Sequence, residues 1–323
     1  MENTISIIIP VYNSATYIER CLHTLFSQTY YNLEFIFVDD GSEDSSVNVI
    51  KKVLAQYPER KDQVKIFSHK YNKGVSQARM TGILKARGDY LIHCDPDDYV
   101  EKNWCELLLN KALEQEAEIV ICPYFIEKGK KSDIKYPEIK KDGIECTLNI
   151  FNNVTWRPLW NKLILSSLIK ENNIYPFEDI DFGEDWSLVI RCLNFAKKIV
   201  DVRIPLYHYC IRDNSLSNKY SKDAFLETND VFVKTYEFLD SCGNPRYERL
   251  SDYLKFLVKM RMRTAFKDNI LDWYEYNKEC HKSIMTFKDH TFFNRIYLSV
   301  LLNNKLFYKY LMNFKRIKQT IFK

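Results

Sequence analysis

The stretch Leu33-Glu34-Phe35-Ile36-Phe37-Val38-Asp39-Asp40-Gly41-Ser42 decides the fold. Leu33–Val38 is a short apolar run, and it stops abruptly at two acids and a glycine. That is a strand with a polar tip. The same phrase occurs on either side of it. Ser6–Val11 is a continuous apolar run, as expected of a strand buried on both faces. Tyr90–Cys94 is another, ending in Asp95-Pro96-Asp97-Asp98. Segments with helical spacing lie between: Ala15–Ser27, Asp44–Gln56 and Val75–Lys85, the last closed by Gly88. A strand at Val64–Ser68, a helix at Glu101–Glu116 and a strand at Glu118–Phe125 extend the series. Repeated β-α units of this length predict an α/β fold, with a doubly wound, mostly parallel sheet flanked by helices. Such sheets bind ligands beyond the carboxyl ends of their strands, where both acidic tips fall.

Further along, residues 126–155 are polar and read as a hairpin and a short helix. Trp156–Lys170 contains a helical stretch, Asp185–Lys197 is a helix, and Val200–Ile211 is a strand. From about residue 220 the pattern is helical, over Ala224–Leu239, Tyr247–Phe266, 268–285 and 291–315.

Composition narrows the function classes. The chain has 323 residues, 46% of them apolar and only 8 glycines, so it is neither fibrous nor low-complexity. Net charge is +4, too mild to indicate nucleic acid by itself. Nine cysteines without a CxxC read as buried thiols of a reducing cytosol. No basic, then apolar leader opens the sequence and no run of 18 apolar residues occurs, so the expected location is cytoplasmic. GxGxxG and GxxxxGK[ST] are both missing, which excludes the dinucleotide fingerprint and the P-loop.

Three carboxylates within Asp95–Asp98 repel one another and suit a hard divalent ion, Mg²⁺ or Mn²⁺. The competing reading is an acidic turn in which Asp97 or Asp98 caps the next helix. At Asp39-Asp40-Gly41-Ser42, Asp40 is placed to accept hydrogen bonds from a base or ribose, or the turn simply caps a helix through Ser42 or Asp44. Lys73 and Arg79, flanking Gly74, suit phosphate or a solvated basic face. Gly183-Glu184-Asp185-Trp186 opens a helix, as a general base or as a cap. Trp156, Trp160 and Trp186 surround these stretches. Their faces suit a sugar ring as an acceptor platform, or a packed core.

The order of these pieces resembles the family 2 glycosyltransferases, inverting enzymes of GT-A fold that use nucleotide-diphosphate sugars. The resemblance is carried by Ser6–Asn13, Val38–Ser42, Asn72-Lys73-Gly74 with Ala78-Arg79, Gly88-Asp89-Tyr90 and Asp95–Asp98. It continues through Trp160–Leu163, Gly183–Trp186 and Tyr207-His208-Tyr209 with Arg212, Ser215 and Ser217. It implies that Pro10 and Tyr12 line a base pocket and that Asp40 contacts the nucleobase, typically uracil, with Asp39 supporting the turn. Arg79 would be a base- or phosphate-side contact and Asp97 a ribose contact. Asp98 would bind the divalent ion, with Asp97 beside it and Asp95 assisting through water as the rest of the metal tip. Asp185 matches the catalytic base, with Glu184 next to it. Arg212, Ser215 and Ser217 would form a lid over the pyrophosphate. The implied activity is transfer of a sugar from a nucleotide sugar, with UDP favoured, to a glycan or lipid-linked glycan in bacterial surface polysaccharide synthesis. A non-catalytic nucleotide-sugar binder of the same fold is the alternative.

A composition shift near Ser217 divides the chain into a GT-A domain over 1–217 and a helical region over 218–323. Within the first, 1–98 is the nucleotide half and 99–217 the acceptor half. Residues 291–323 carry seven basic residues and no acid among Phe292, Phe293, Ile296, Tyr297 and Leu298. That pattern fits a helix lying on the inner face of an anionic membrane, or an amphipathic helix packed on the protein.

Overall fold

The computed structural model describes residues 3–138, 143–150, 158–178, 180–212, 222–243, 245–262, 275–286 and 302–304. The chain forms two compact units, Met1–Glu227 and Thr228–Lys323.

The first unit is built on strand β1 (Ile5–Val11), buried at every position. Its alternation serves two layers. Ile5, Ile7, Ile9 and Val11 join Cys21, Leu22, Leu25 and Phe26 of helix α1 (Ile18–Phe26) in one core. Ile8 points the other way, onto Gly82 of α3 (Val75–Lys85). Strand β2 (Leu33–Asp39) runs parallel to β1, with Val11 opposite Asp39. After α2 (Ser46–Leu54), β3 (Val64–Ser68) adds outside β2. Strand β4 (Tyr90–His93) pairs parallel on the other flank of β1. The carboxyl ends of β4, β1 and β2 therefore lie side by side, and the chain reverses its winding between β1 and β4. That is the crevice a doubly wound sheet offers a ligand.

Past β4 the chain makes β5 (Tyr99–Val100), α4 (Trp104–Gln115), β6 (Ile119–Ile121), β7 (Tyr124–Lys128), β8 (Lys131–Lys135) and α5 (Gly143–Ile150). Next come β9 (Lys162–Leu165), α6 (Ser166–Glu171), α7 (Glu184–Phe195), β10 (Ile199–Asp201) and β11 (Tyr207–Cys210). The main sheet has the order β10-β6-β9-β4-β1-β2-β3. Only β9 runs antiparallel within it, between β4 and β6. A smaller sheet has the order β5-β11-β7-β8.

Three predicted elements differ. Glu118–Phe125 is two strands in two sheets, because the chain leaves the main sheet at Pro123, which has no N–H for the ladder. Val200–Ile211 is likewise split, with β10 in the main sheet and β11 in the small one. Strand β9 lies where only helix was expected; it is four residues long and opens on a lysine, too short to show an alternation.

In the second unit, α8 (Lys222–Ser241) crosses the division, followed by α9 (Glu248–Met262) and a 3₁₀ segment at Lys278–Thr286. Leu250, Leu254 and Val258 of α9 are buried, and Lys259 Nζ donates to the Tyr276 carbonyl at 2.7 Å. Among the described residues no helix is long and apolar enough to cross a membrane. The basic segment 291–323 lies outside the described residues, apart from 302–304.

Candidate active site

The site is the meeting of three chain turns: the β2 tip, the β4 tip and the start of α7. At the β2 tip, Asp39 Oδ1 accepts the Ser42 amide at 3.1 Å and closes the turn. Asp40 is turned onto the loop before α3. It accepts the Gly74 amide at 2.8 Å, the Lys73 amide at 3.0 Å and His69 Nδ1 at 2.6 Å. Pro10 is buried in β1, whereas Tyr12 just beyond it is 44% exposed at the rim.

At the β4 tip the acids do not cap a helix: α4 begins at Trp104, six residues past Asp98. Asp98 is 1% exposed and is held from the small sheet. The Tyr207 hydroxyl donates to Asp98 Oδ2 at 2.8 Å and itself accepts the Asp95 amide at 3.1 Å. The Cys210 amide donates to Asp98 Oδ1 at 2.8 Å. Burial, then Asp97 and Asp95, push the Asp98 carboxyl well above the usual range. Asp97 is raised too, by burial and Asp95, against the opposing pull of Arg212. Arg212 Nη2 donates to Asp97 Oδ2 while its guanidinium lies 3.8 Å from the Tyr17 ring centre. Arg20 donates from the same side, to the Asp97 carbonyl at 3.3 Å.

Among the described residues no three His, Cys, Asp or Glu side chains converge as a ready cation cage. The donor chemistry nevertheless fits a divalent ion. Two adjacent carboxyls are pushed up by burial and mutual repulsion, which a cation offsets. Mg²⁺ bound with substrate phosphates needs only one or two carboxylates.

The third turn leads into α7. Gly183 takes φ +97°, and a Cβ there would sit 2.4 Å from the Trp186 indole nitrogen. Glu184 and Asp185 follow, and their environments part them. Glu184 is 7% exposed and takes Arg79 Nε on Oε1 at 3.0 Å; burial and then Asp185 push it up to about 8. Asp185 is half-buried and accepts only its neighbour's amide, Trp186 N–H, at 2.6 Å among the hydrogen bonds of the described residues. Burial raises its carboxyl, while Arg79 and Lys162 pull it down. Of the two acids, Asp185 is the less buried.

Two of the tryptophans are packed. Trp160 stacks on Tyr207 at 4.2 Å and 11° and meets Tyr124 edge-on at 4.7 Å, so it is a wall of the core and not an open acceptor platform. Trp186 is buried against Gly183. Trp156, Ser215 and Ser217 lie outside the described residues. Three residues with no role in the sequence reading also belong here. Tyr207 was part of a motif without a function. His93, buried in β4, lies 3.4 Å from Arg79 Nη1. Lys162 is wholly buried, donating to the Pro158 carbonyl at 2.5 Å and to Asn161 Oδ1 at 2.7 Å; burial drives it down to about 7. Its sequence signal is its place in the Trp160–Leu163 stretch of the resemblance, where it carried no role.

Comparison with known proteins places this geometry. The description "Glycosyl transferase family 2" matches residues 6–173, just over half of the chain. The putative glycosyltransferase EpsH of Bacillus subtilis (strain 168) is 32% identical over 243 residues, covering 71% of this chain and 69% of that protein. Among solved structures, S. aureus TarS 1-349 in complex with UDP-GlcNAc superposes with a TM-score of 0.63 at 19% identity, over 93% of this chain and 86% of that 1-349 chain. The mannosyltransferase PcManGT from Pyrobaculum calidifontis, in complex with GDP-Man and Mn²⁺, gives 0.55 at 12% identity, over 96% and 83%. The architecture is the GT-A fold shared with these enzymes. With acidic tips on the two strands that flank β1, a half-buried acid at the head of α7 and a family match over residues 6–173, the chain is a glycosyltransferase and belongs to glycosyl transferase family 2.

Proposed function

We propose that the enzyme moves a sugar from a nucleoside-diphosphate donor, with UDP favoured, to a hydroxyl of a glycan or lipid-linked glycan, inverting the anomeric centre. The observation that carries this reading is the contrast between Glu184, sealed against Arg79, and Asp185, only partly buried beside it. A base must reach its proton, and only Asp185 does. Asp185 removes the acceptor hydroxyl's proton as its oxygen attacks the anomeric carbon. The bond from that carbon to the diphosphate breaks on the opposite face. Single displacement makes a β-linkage from an α-linked donor.

Asp97 and Asp98 would hold a Mg²⁺ or Mn²⁺ ion, which when bound supplies positive charge to the diphosphate oxygens. Arg212, held at the tip by Asp97 and Tyr17, adds a second cation on that side. Tyr12 and Pro10 face the base, with Asp40 behind them fixing the 72–74 loop. The TarS complex with UDP-GlcNAc supports UDP, while the mannosyltransferase complex supports the use of Mn²⁺.

The test is a panel of nucleotide sugars screened for thermal stabilisation with and without Mn²⁺, followed by turnover of the donor it selects. Asp185→Asn is expected to bind that donor like the wild type and to transfer nothing. Full turnover by Asp185→Asn would overturn the assignment.

A further inference from the structure

Arg79 sits where the family resemblance implies a donor contact, yet its side chain is spent inside the protein. It is 5% exposed. A guanidinium offers its N–H groups in one rigid fork. Here Nε donates to Glu184 at 3.0 Å, Nη2 donates to Asp95 at 2.9 Å, and Nη1 faces His93 Nδ1 at 3.4 Å. Those partners come from three places: the head of α7, the acidic β4 tip and the last residue of β4 itself. Burial and the Arg79 charge hold His93 neutral, so its ring nitrogen can face a cation.

The turn carrying Asp185 has a second attachment to the same helix. Asp181 Oδ1 accepts the Ser76 amide at 3.0 Å in the first turn of α3. Gly74, with φ +93°, makes room for it: a Cβ there would lie 2.1 Å from the Asp181 carboxylate. Ser76 and Arg79 are three residues apart on one face of α3, and Asp181 and Glu184 are three residues apart on the turn. Helix α3 therefore grips both ends of the segment that presents Asp185. Through Asp95 the same arginine ties that segment to the acidic tip.

We propose that Arg79 is a positioning residue, which holds the base-bearing turn 181–185 at a fixed distance from the acidic tip and makes no contact with the donor. The inference rests on the reading of Asp185 as the base. An acid displaced by 1 Å loses about 100-fold in rate without losing substrate affinity. Arg79→Lys keeps the charge and cannot hold Glu184 and Asp95 together. Glu184→Ala removes the acceptor and breaks the tie from the other side.

The experiment measures kcat and donor KM for the full chain with the donor selected above, and UDP affinity by titration calorimetry, for Arg79→Lys, Glu184→Ala and the double variant. Circular dichroism checks that each is folded. The expected result is a fall in kcat of about 10- to 100-fold for each single variant. Donor KM and UDP affinity stay within about twofold, and the double variant is no slower than the worse single one, since both cut one connection. A tenfold loss of UDP affinity in Arg79→Lys with kcat unchanged would make it a donor contact and overturn the proposal, as would fully additive losses in the double variant. Should Arg79→Lys prove unfolded, Glu184→Ala decides alone, because an unchanged kcat there refutes the tie. Asp185→Asn, run in parallel, separates the two readings. If it is inactive while Arg79→Lys turns over normally, only the positioning role fails; if it is active, the base assignment fails.

Discussion

Removing one oxygen from Tyr207 isolates what the small sheet does for the acidic tip. The Tyr207 ring is wholly buried, stacked on Trp160 at 4.2 Å and tilted against Trp104 at 6.0 Å. Tyr207→Phe keeps those ring contacts. It deletes a hydroxyl that donates to Asp98 Oδ2 and accepts the Asp95 amide. Burial and the neighbouring acids favour the neutral form of Asp98, and a hydrogen bond between neutral groups contributes about 0.5–1.5 kcal/mol. Nothing of similar size fills the space, so the expected loss of the two bonds is about 1–3 kcal/mol. The assay is urea unfolding followed by tryptophan fluorescence, which reports the first unit: Trp104, Trp156, Trp160 and Trp186 belong to it and only Trp273 to the second. At a slope of about 2–3 kcal/mol per molar, the midpoint falls by roughly 1 M with the slope unchanged. A shift below about 0.2 M would mean that the hydroxyl is already satisfied by solvent. The buried link between β11 and the tip would then be without energetic content.

Two pH effects follow from the same buried charges. With Asp185 as the proposed base, turnover requires it ionised, and burial raises its carboxyl above the ordinary value near 4. The acid limb of kcat should therefore lie above that of a solvent-exposed aspartate, with activity lost as pH falls through it. A limb at or below about pH 4 in the pH–rate profile contradicts the burial argument. Lys162 titrates at about 7 in the folded chain and near 10.4 when unfolded, so between these values the unfolded state binds more protons. Stability should rise with pH from about 7 to 10 through this residue, and that component should vanish in Lys162→Met. Identical pH–stability curves for the two proteins would show that Lys162 is solvated.

The β-α order, the strand ends and the acids at them were readable because each is local. An apolar run followed within two residues by carboxylates says both where a strand stops and what stands on its tip. What escaped was short or divided. Strand β9 has four residues, and the two runs at 118–125 and 200–211 each feed two sheets, a choice made by partners elsewhere in the chain. The tryptophans misled for a related reason. Proximity in sequence to the acidic stretches does not say which way an indole faces, and Trp160 faces Tyr207.

By itself the sequence determined the α/β class, the family and the acids that stand at the site, since strand periodicity and clustered carboxylates are written in neighbouring residues. The tertiary structure alone decided which of those acids are engaged. Glu184 is paired with an arginine 105 positions away, Asp98 is held by a tyrosine 109 positions away, and Asp185 is left half-buried. Spacing along the chain carries no trace of such pairs, because hydrogen bonds and burial depend on distance in space, which only the folded sheet sets.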